Sequence, residues 1–168
     1  EAQLKALALR NVGTAVASDI GDAADIHPRN KQEVGRRLAL WALAHDYDAI
    51  KPESASGPMF KSAKFLDDKA VIAFENAKGL RPAGGKLLGF AVAGPDMVFY
   101  WAHAAVEGKT VVVSSDKVPV PEQVRYNWAV HPIGNLVNEA GLPASPFRTD
   151  DWARTDVSAD ADQPAPVP

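Results

Sequence analysis

From Met59 onward the apolar residues come only in short runs, each closed within a few residues by a turn-forming cluster. Residues 60–66 and 70–74 flank Asp67-Asp68-Lys69, and residues 87–93 and 97–102 flank Gly94-Pro95-Asp96. Residues 104–106 and 110–114 flank Glu107-Gly108-Lys109, and 123–128 form a further run. Val, Ile, Phe, Tyr and Trp suit a pleated, half-buried surface, and runs this short read as strands. Connections this short join antiparallel neighbours, because a parallel pair needs a crossover of about a dozen residues or more. Some half-dozen strands so spaced predict a small antiparallel β-sandwich.

The residues before this region have a different period. Residues 1–10 predict a helix from the first position with no N-cap ahead of it, which is expected of a chain cut from a longer one. A turn at Asn11-Val12-Gly13 leads to an apolar strand over 14–18, then to a loop over 19–28. Asn30 is an N-cap with Glu33 three residues later, as in a capping box. Val34, Leu38, Trp41, Ala42 and His45 then fall at helical spacing to about residue 46, with Arg36 and Arg37 assigned to the solvated side. Helix, strand, helix is half of a doubly wound α/β layer and too little to close a sheet alone. A linker-like stretch, Lys51-Pro52-Glu53-Ser54-Ala55-Ser56-Gly57-Pro58, separates it from the strands. The predicted organisation is therefore 1–50, an α/β part; 51–155, the sandwich-like region; and 156–168, an Ala/Asp/Pro-rich tail expected to be disordered. Residues 135–152 lack any period yet carry apolar and aromatic residues, so a packed irregular segment is expected there.

Charge narrows the function classes. Eighteen basic against 21 acidic residues, mixed along the chain, leave a net charge of −3 and no footprint for nucleic acid or an anionic membrane. No apolar run approaches the length of a membrane span. The chain has no Cys, which excludes disulfides, thiolate metal sites and thiol nucleophiles.

Chemistry concentrates at Asp19-Ile20-Gly21-Asp22-Ala23-Ala24-Asp25-Ile26-His27-Pro28, between the expected strand and the long helix. Open α/β sheets place ligand and catalytic groups on such loops. A neutral imidazole oriented by a carboxylate is a general base. The plainer reading is turn chemistry, with Asp19 and Asp22 capping backbone N–H groups. His45, His103 and His131 read as structural, and no pair of histidines has metal-site spacing. Ser54, Ser56, Ser62, Ser114 and Ser145 stand in no nucleophile elbow. The glycines between Gly79 and Gly85 lack the following helix of a phosphate cradle. Tyr126, Trp128, Phe147 and Trp152 read as packing rather than a sugar-stacking platform. Arg125 and Arg148 read as ion-pair partners of Asp150 or Asp151 rather than as a fork for a substrate carboxylate.

Three stretches resemble a known family. They are Asp19 through Ala44, containing Asp25-Ile26-His27-Pro28; Thr110-Val111-Val112-Val113-Ser114-Ser115 with Val124-Arg125-Tyr126-Asn127-Trp128; and Gly141-Leu142-Pro143-Ala144-Ser145-Pro146-Phe147-Arg148-Thr149-Asp150-Asp151-Trp152. Together they resemble the C-terminal part of sialate O-acetylesterases, a group within the SGNH-type serine esterases. The resemblance implies the C-terminal portion of a flavodoxin-like α/β hydrolase domain with a β-rich region beside it. It implies removal of O-acetyl groups from sialic acid or a related sugar, no metal or organic cofactor, and an exported protein. His27 matches the family's catalytic base, which takes the proton of a serine and later protonates the leaving sugar hydroxyl. The family's nucleophilic Ser and oxyanion donors belong to blocks absent from this chain, so the chain alone is expected to be inert.

One position departs from the usual Asp-x-x-His spacing: Ala24 stands three residues before His27. Asp25, two before it, is the expected orienting carboxylate, with Asp22 in reserve. The rival expectation is a non-catalytic carbohydrate-binding or interface module in which the Asp-Ile-His loop is a relic.

Overall fold

A computed structural model describes residues 1–152, so the expected tail at 156–168 lies outside the described residues. Among the described residues the fold is mixed, two α-helices followed by ten strands, and every ladder is antiparallel. No helix among these residues is long and apolar enough to cross a membrane.

The strand region follows the sequence pattern closely. β1 (Met59–Leu66) and β2 (Lys69–Glu75) turn on Asp67-Asp68, with Leu66 opposite Lys69. β3 (Arg81–Pro82) is two residues long, β4 (Phe90–Ala93) and β5 (Phe99–Trp101) form a hairpin, and β6 (His103–Glu107) pairs with β7 (Thr110–Ser114). β8 (Gln123–Tyr126), β9 (Leu136–Val137) and β10 (Phe147–Arg148) complete the set. One sheet has the order β1-β2-β7-β6, a second has β10-β8-β4-β5, and β3 pairs with β9. Period-two burial places the core. Along β2, Ala70, Ile72 and Phe74 are buried while Val71 and Ala73 are not, and along β7 Val111 and Val113 are buried. Ala70 lies opposite Val113 and Ile72 opposite Val111, so the central strands present matched apolar pairs. These residues share one cluster with Phe90, Val92, Val124, Tyr126 and Phe147 of the second sheet.

Phe147 is the hub of that cluster. Its ring stacks on Phe60 at 4.6 Å between centroids and meets Phe74 edge-on at 5.9 Å. The Tyr126 hydroxyl, deep in the same cluster, accepts from Leu136 N–H at 3.0 Å, and burial pushes its pKa up. The segment expected to be irregular therefore contributes β9 and β10. Both strands are only two residues long, too short to show a period.

The N-terminal part departs further from expectation. The first helix is only α1 (Ala2–Lys5), continued by a 3₁₀ turn (Ala6–Ala8) and held by Glu1 to Lys5 and to Arg148. The expected strand at 14–18 is an extended segment with no ladder partner among the described residues. Side chains of α2 (Lys31–His45) satisfy its carbonyls instead. Trp41 Nε1 donates to Thr14 O at 2.6 Å and Arg37 Nη1 to Val16 O at 2.5 Å. Gly13 permits this: a Cβ there would meet the Trp41 ring at 2.6 Å.

The buried stripe of α2 is also rotated from the expected one. Arg37 and Ala44 are its buried residues, whereas Leu38 and His45 face outward, His45 stacking on Trp41 at 4.8 Å. Arg37 is thus a correction to the solvated role expected of it. Its guanidinium has carboxylates and a carbonyl to bond, which offsets the cost of burying charge.

Candidate functional site

The loop between the extended segment and α2 is shaped by its own short polar side chains. Asp22 Oδ1 accepts from Ala24 N–H at 2.9 Å, and Asp25 Oδ1 accepts from His27 N–H at 2.8 Å, two successive Asx turns. Pro28 follows, which disfavours helix at His27 and keeps it in the loop. Asn30 then caps α2, its side chain accepting from Glu33 N–H at 3.2 Å. The reciprocal half of the capping box is not made, because the Glu33 carboxylate turns to Arg36 and Arg37.

This geometry brings Asp25 and His27 together. The same Asp25 Oδ1 that holds the His27 backbone lies 3.4 Å from its ring Nδ1. The His27 side chain is 81% exposed and the Asp25 side chain 49%. Among the described residues no other carboxylate comes within ion-pair distance of His27, and Asp22 is occupied at Ala24. No serine hydroxyl among them hydrogen-bonds the ring. Ser56 and Ser115 bond backbone carbonyls, Ser145 is buried, and Ser18 Oγ is buried with no partner. An exposed imidazole beside a carboxylate can take a proton from a hydroxyl brought to it, and apo distances of this kind commonly tighten in the reacting complex.

Asp19 does not cap the loop. It receives a two-pronged bond from Arg37, Nη1 to Oδ1 at 2.6 Å and Nη2 to Oδ2 at 2.7 Å, while Arg37 Nε donates to Glu33 Oε1 at 2.9 Å. Hydrogen bonds from Arg36 and then Arg37 pull the Glu33 pKa down to about 2. Asp19 foremost, with Glu33, raises that of Arg37. Sequence reasoning missed this cluster, although one signal was present: Arg37, Trp41 and Ala44 are spaced four and three apart, on one helix face.

The other polar and aromatic residues singled out in the sequence make contacts within the protein. Arg125 and Asp150 form a buried fork-to-fork pair, and Arg125 also lies over the Phe99 ring at 4.0 Å. Arg148 bonds Glu1 and the Trp152 carbonyl. Tyr126 and Phe147 are core residues, Trp152 packs on Phe99 at 5.6 Å, and Trp128 lies under Arg148 at 5.3 Å. No cluster of three His, Asp or Glu side chains among the described residues is placed to hold a metal ion.

No protein-family model matches the chain, and no curated protein matches it. Among solved structures it is similar to the crystal structure of a carbohydrate acetylesterase from Xanthomonas citri, with a TM-score of 0.84 and 46% sequence identity. The match covers 89% of this chain and 35% of that one, so the chain spans about a third of the length of the protein it resembles.

Proposed function

We propose that this chain carries the general base of a serine esterase that removes O-acetyl groups from a carbohydrate, sialic acid or a related sugar. The observation that carries the reading is the exposed His27 ring with the Asp25 carboxylate 3.4 Å from Nδ1. The likeness to a carbohydrate acetylesterase supports it. On this reading residues 1–50 are the last elements of a flavodoxin-like hydrolase domain, 51–155 are a sandwich-like region packed beside it, and the protein is exported.

The nucleophilic serine and the oxyanion donors come from sequence outside these 168 residues. His27 takes the serine proton as the hydroxyl oxygen adds to the acetyl carbonyl. The tetrahedral intermediate collapses, the C–O bond to the sugar breaks, and imidazolium returns the proton to the departing sugar oxygen. Water, deprotonated by His27 in turn, adds to the acetyl-serine ester; acetate leaves and the serine regains its proton. Asp25 holds the imidazole in orientation and stabilises the imidazolium.

In the intact protein His27→Ala is expected to lower p-nitrophenyl acetate hydrolysis by about 10³-fold or more, with thermal unfolding nearly unchanged because the ring is exposed. Retained turnover overturns the assignment. Comparison of O-acetylated sialic acid with an O-acetylated neutral sugar tests the substrate, and equal kcat/KM on both removes the sialate preference.

A further inference from the structure

The loop that carries His27 runs into α2 at one end and is tied back to α2 at the other by one buried guanidinium. On its N-terminal side Arg37 grips the Asp19 carboxylate with both terminal nitrogens, and Nη1 also donates to Val16 O. On its C-terminal side the loop enters α2 at Asn30, three residues past His27; the Asn30 side chain accepts from Glu33 N–H, and Arg37 Nε bonds the Glu33 carboxylate one turn along the same helix. Between these anchors the hydrogen bonds are local: the Asx bonds at Ala24 and His27, and short backbone turns at Ile20 and Lys31. Nothing in them fixes where the loop stands relative to α2.

Resting on the reading of His27 as the base, we infer that Arg37, with Asp19 and Glu33 as its carboxylate partners, is a positioning residue that sets where His27 stands. It does not touch substrate: the side chain is 6% exposed and each of its three nitrogens is already bonded within the protein. Arginine is required because a planar fork reaches two carboxylates and a carbonyl in fixed directions. A lysine ammonium supplies the charge without the geometry. Displacement of a catalytic group by about 1 Å can cost on the order of 10²-fold in rate, so a loosened anchor is visible in kcat.

The test uses Arg37→Lys and Asp19→Asn, which keep the volume at each site; Arg37→Ala would leave Asp19 without its cation, whereas Glu33 keeps Arg36. In the intact protein both variants are expected to lower kcat for p-nitrophenyl acetate by about 10- to 100-fold with KM changed less than about twofold. In the 168-residue chain, ¹⁵N relaxation is expected to show lower backbone order over 20–29 with β2 and β7 unchanged. Unaltered kcat overturns the inference, and so does a drop in unfolding temperature with loop order intact in the folded state. His27→Ala is run alongside. If it keeps turnover, the reading of His27 fails, and the relaxation measurement alone decides whether Arg37 anchors the loop.

Discussion

Arg125 and Asp150 are joined by two parallel hydrogen bonds inside the protein: Nε to Oδ2 at 2.8 Å and Nη2 to Oδ1 at 2.7 Å, with side chains 8% and 0% exposed. The pair ties β8 to the segment just past β10. Burial alone would raise the Asp150 pKa, but Arg125, with help from Arg148, holds it below the ordinary carboxylate range. Arg125→Ala removes both hydrogen bonds and leaves the buried Asp150 carboxylate with only Arg148 at 3.5 Å, so it is expected to cost about 3–5 kcal/mol in urea unfolding. Replacing both, as Arg125→Met with Asp150→Leu, is expected to cost far less, because no uncompensated charge remains. A double variant as unstable as the single one overturns this account.

Acid should weaken the fold through two carboxylates, Glu33 and Asp150. Glu33 falls from 4.5 to about 2 in the folded state, chiefly through the hydrogen bond from Arg36, and Asp150 lies below its usual 3.8. A lowered folded pKa means that the unfolded chain binds protons first. The stability contributed is then fully present above the unfolded values and lost as pH falls toward the folded ones. Unfolding free energy is therefore expected to be level above about pH 5 and to drop between pH 4.5 and about 2. Glu33→Gln should flatten part of that drop, and an unchanged slope in the variant would remove Glu33 from the explanation.

Gly57 is where the linker meets the strand region. A Cβ there would run into the Pro143 carbonyl oxygen and lie 2.8 Å from its carbon, and these are backbone atoms that cannot rotate aside. Gly57→Ala is expected to destabilise by about 1–3 kcal/mol through forced backbone shifts. Gly21→Ala, where a Cβ meets nothing within 4 Å, is the matched control and should stay within about 0.5 kcal/mol.

Asp25 and Asp22 occupy equivalent Asx turns, yet only Asp25 also reaches an imidazole. Asp25→Asn in the intact protein should lower kcat for p-nitrophenyl acetate well beyond Asp22→Asn, the two causing similarly small stability changes. The reverse order transfers the orienting role to Asp22.

The strand hairpins were legible because their information is local. Period-two burial in β2 and β7 and the turns at Asp67-Asp68 and Gly108-Lys109 need no distant partner to be read. The Asp25–His27 pairing was legible for the same reason, a two-residue separation closed by an Asx turn. The strand expected at 14–18 has no ladder partner among the described residues, and a strand exists only in a ladder. Its apolar residues say that the segment is extended and half-buried, and nothing local says what lies beside it. β9 and β10 were hidden for the converse reason, being two-residue strands whose pairing is supplied by β3 and β8.

What the sequence determined alone is where the chain turns, where α2 is capped, and that an imidazole and a carboxylate share one short loop. What only the tertiary structure decided is which charges went inside. Arg37 joins Asp19 across 18 residues, and Arg125 joins Asp150 across 25. The burial of a charge depends on whether folding brings an opposite charge within about 3 Å of it, and that distance is a property of the packed chain.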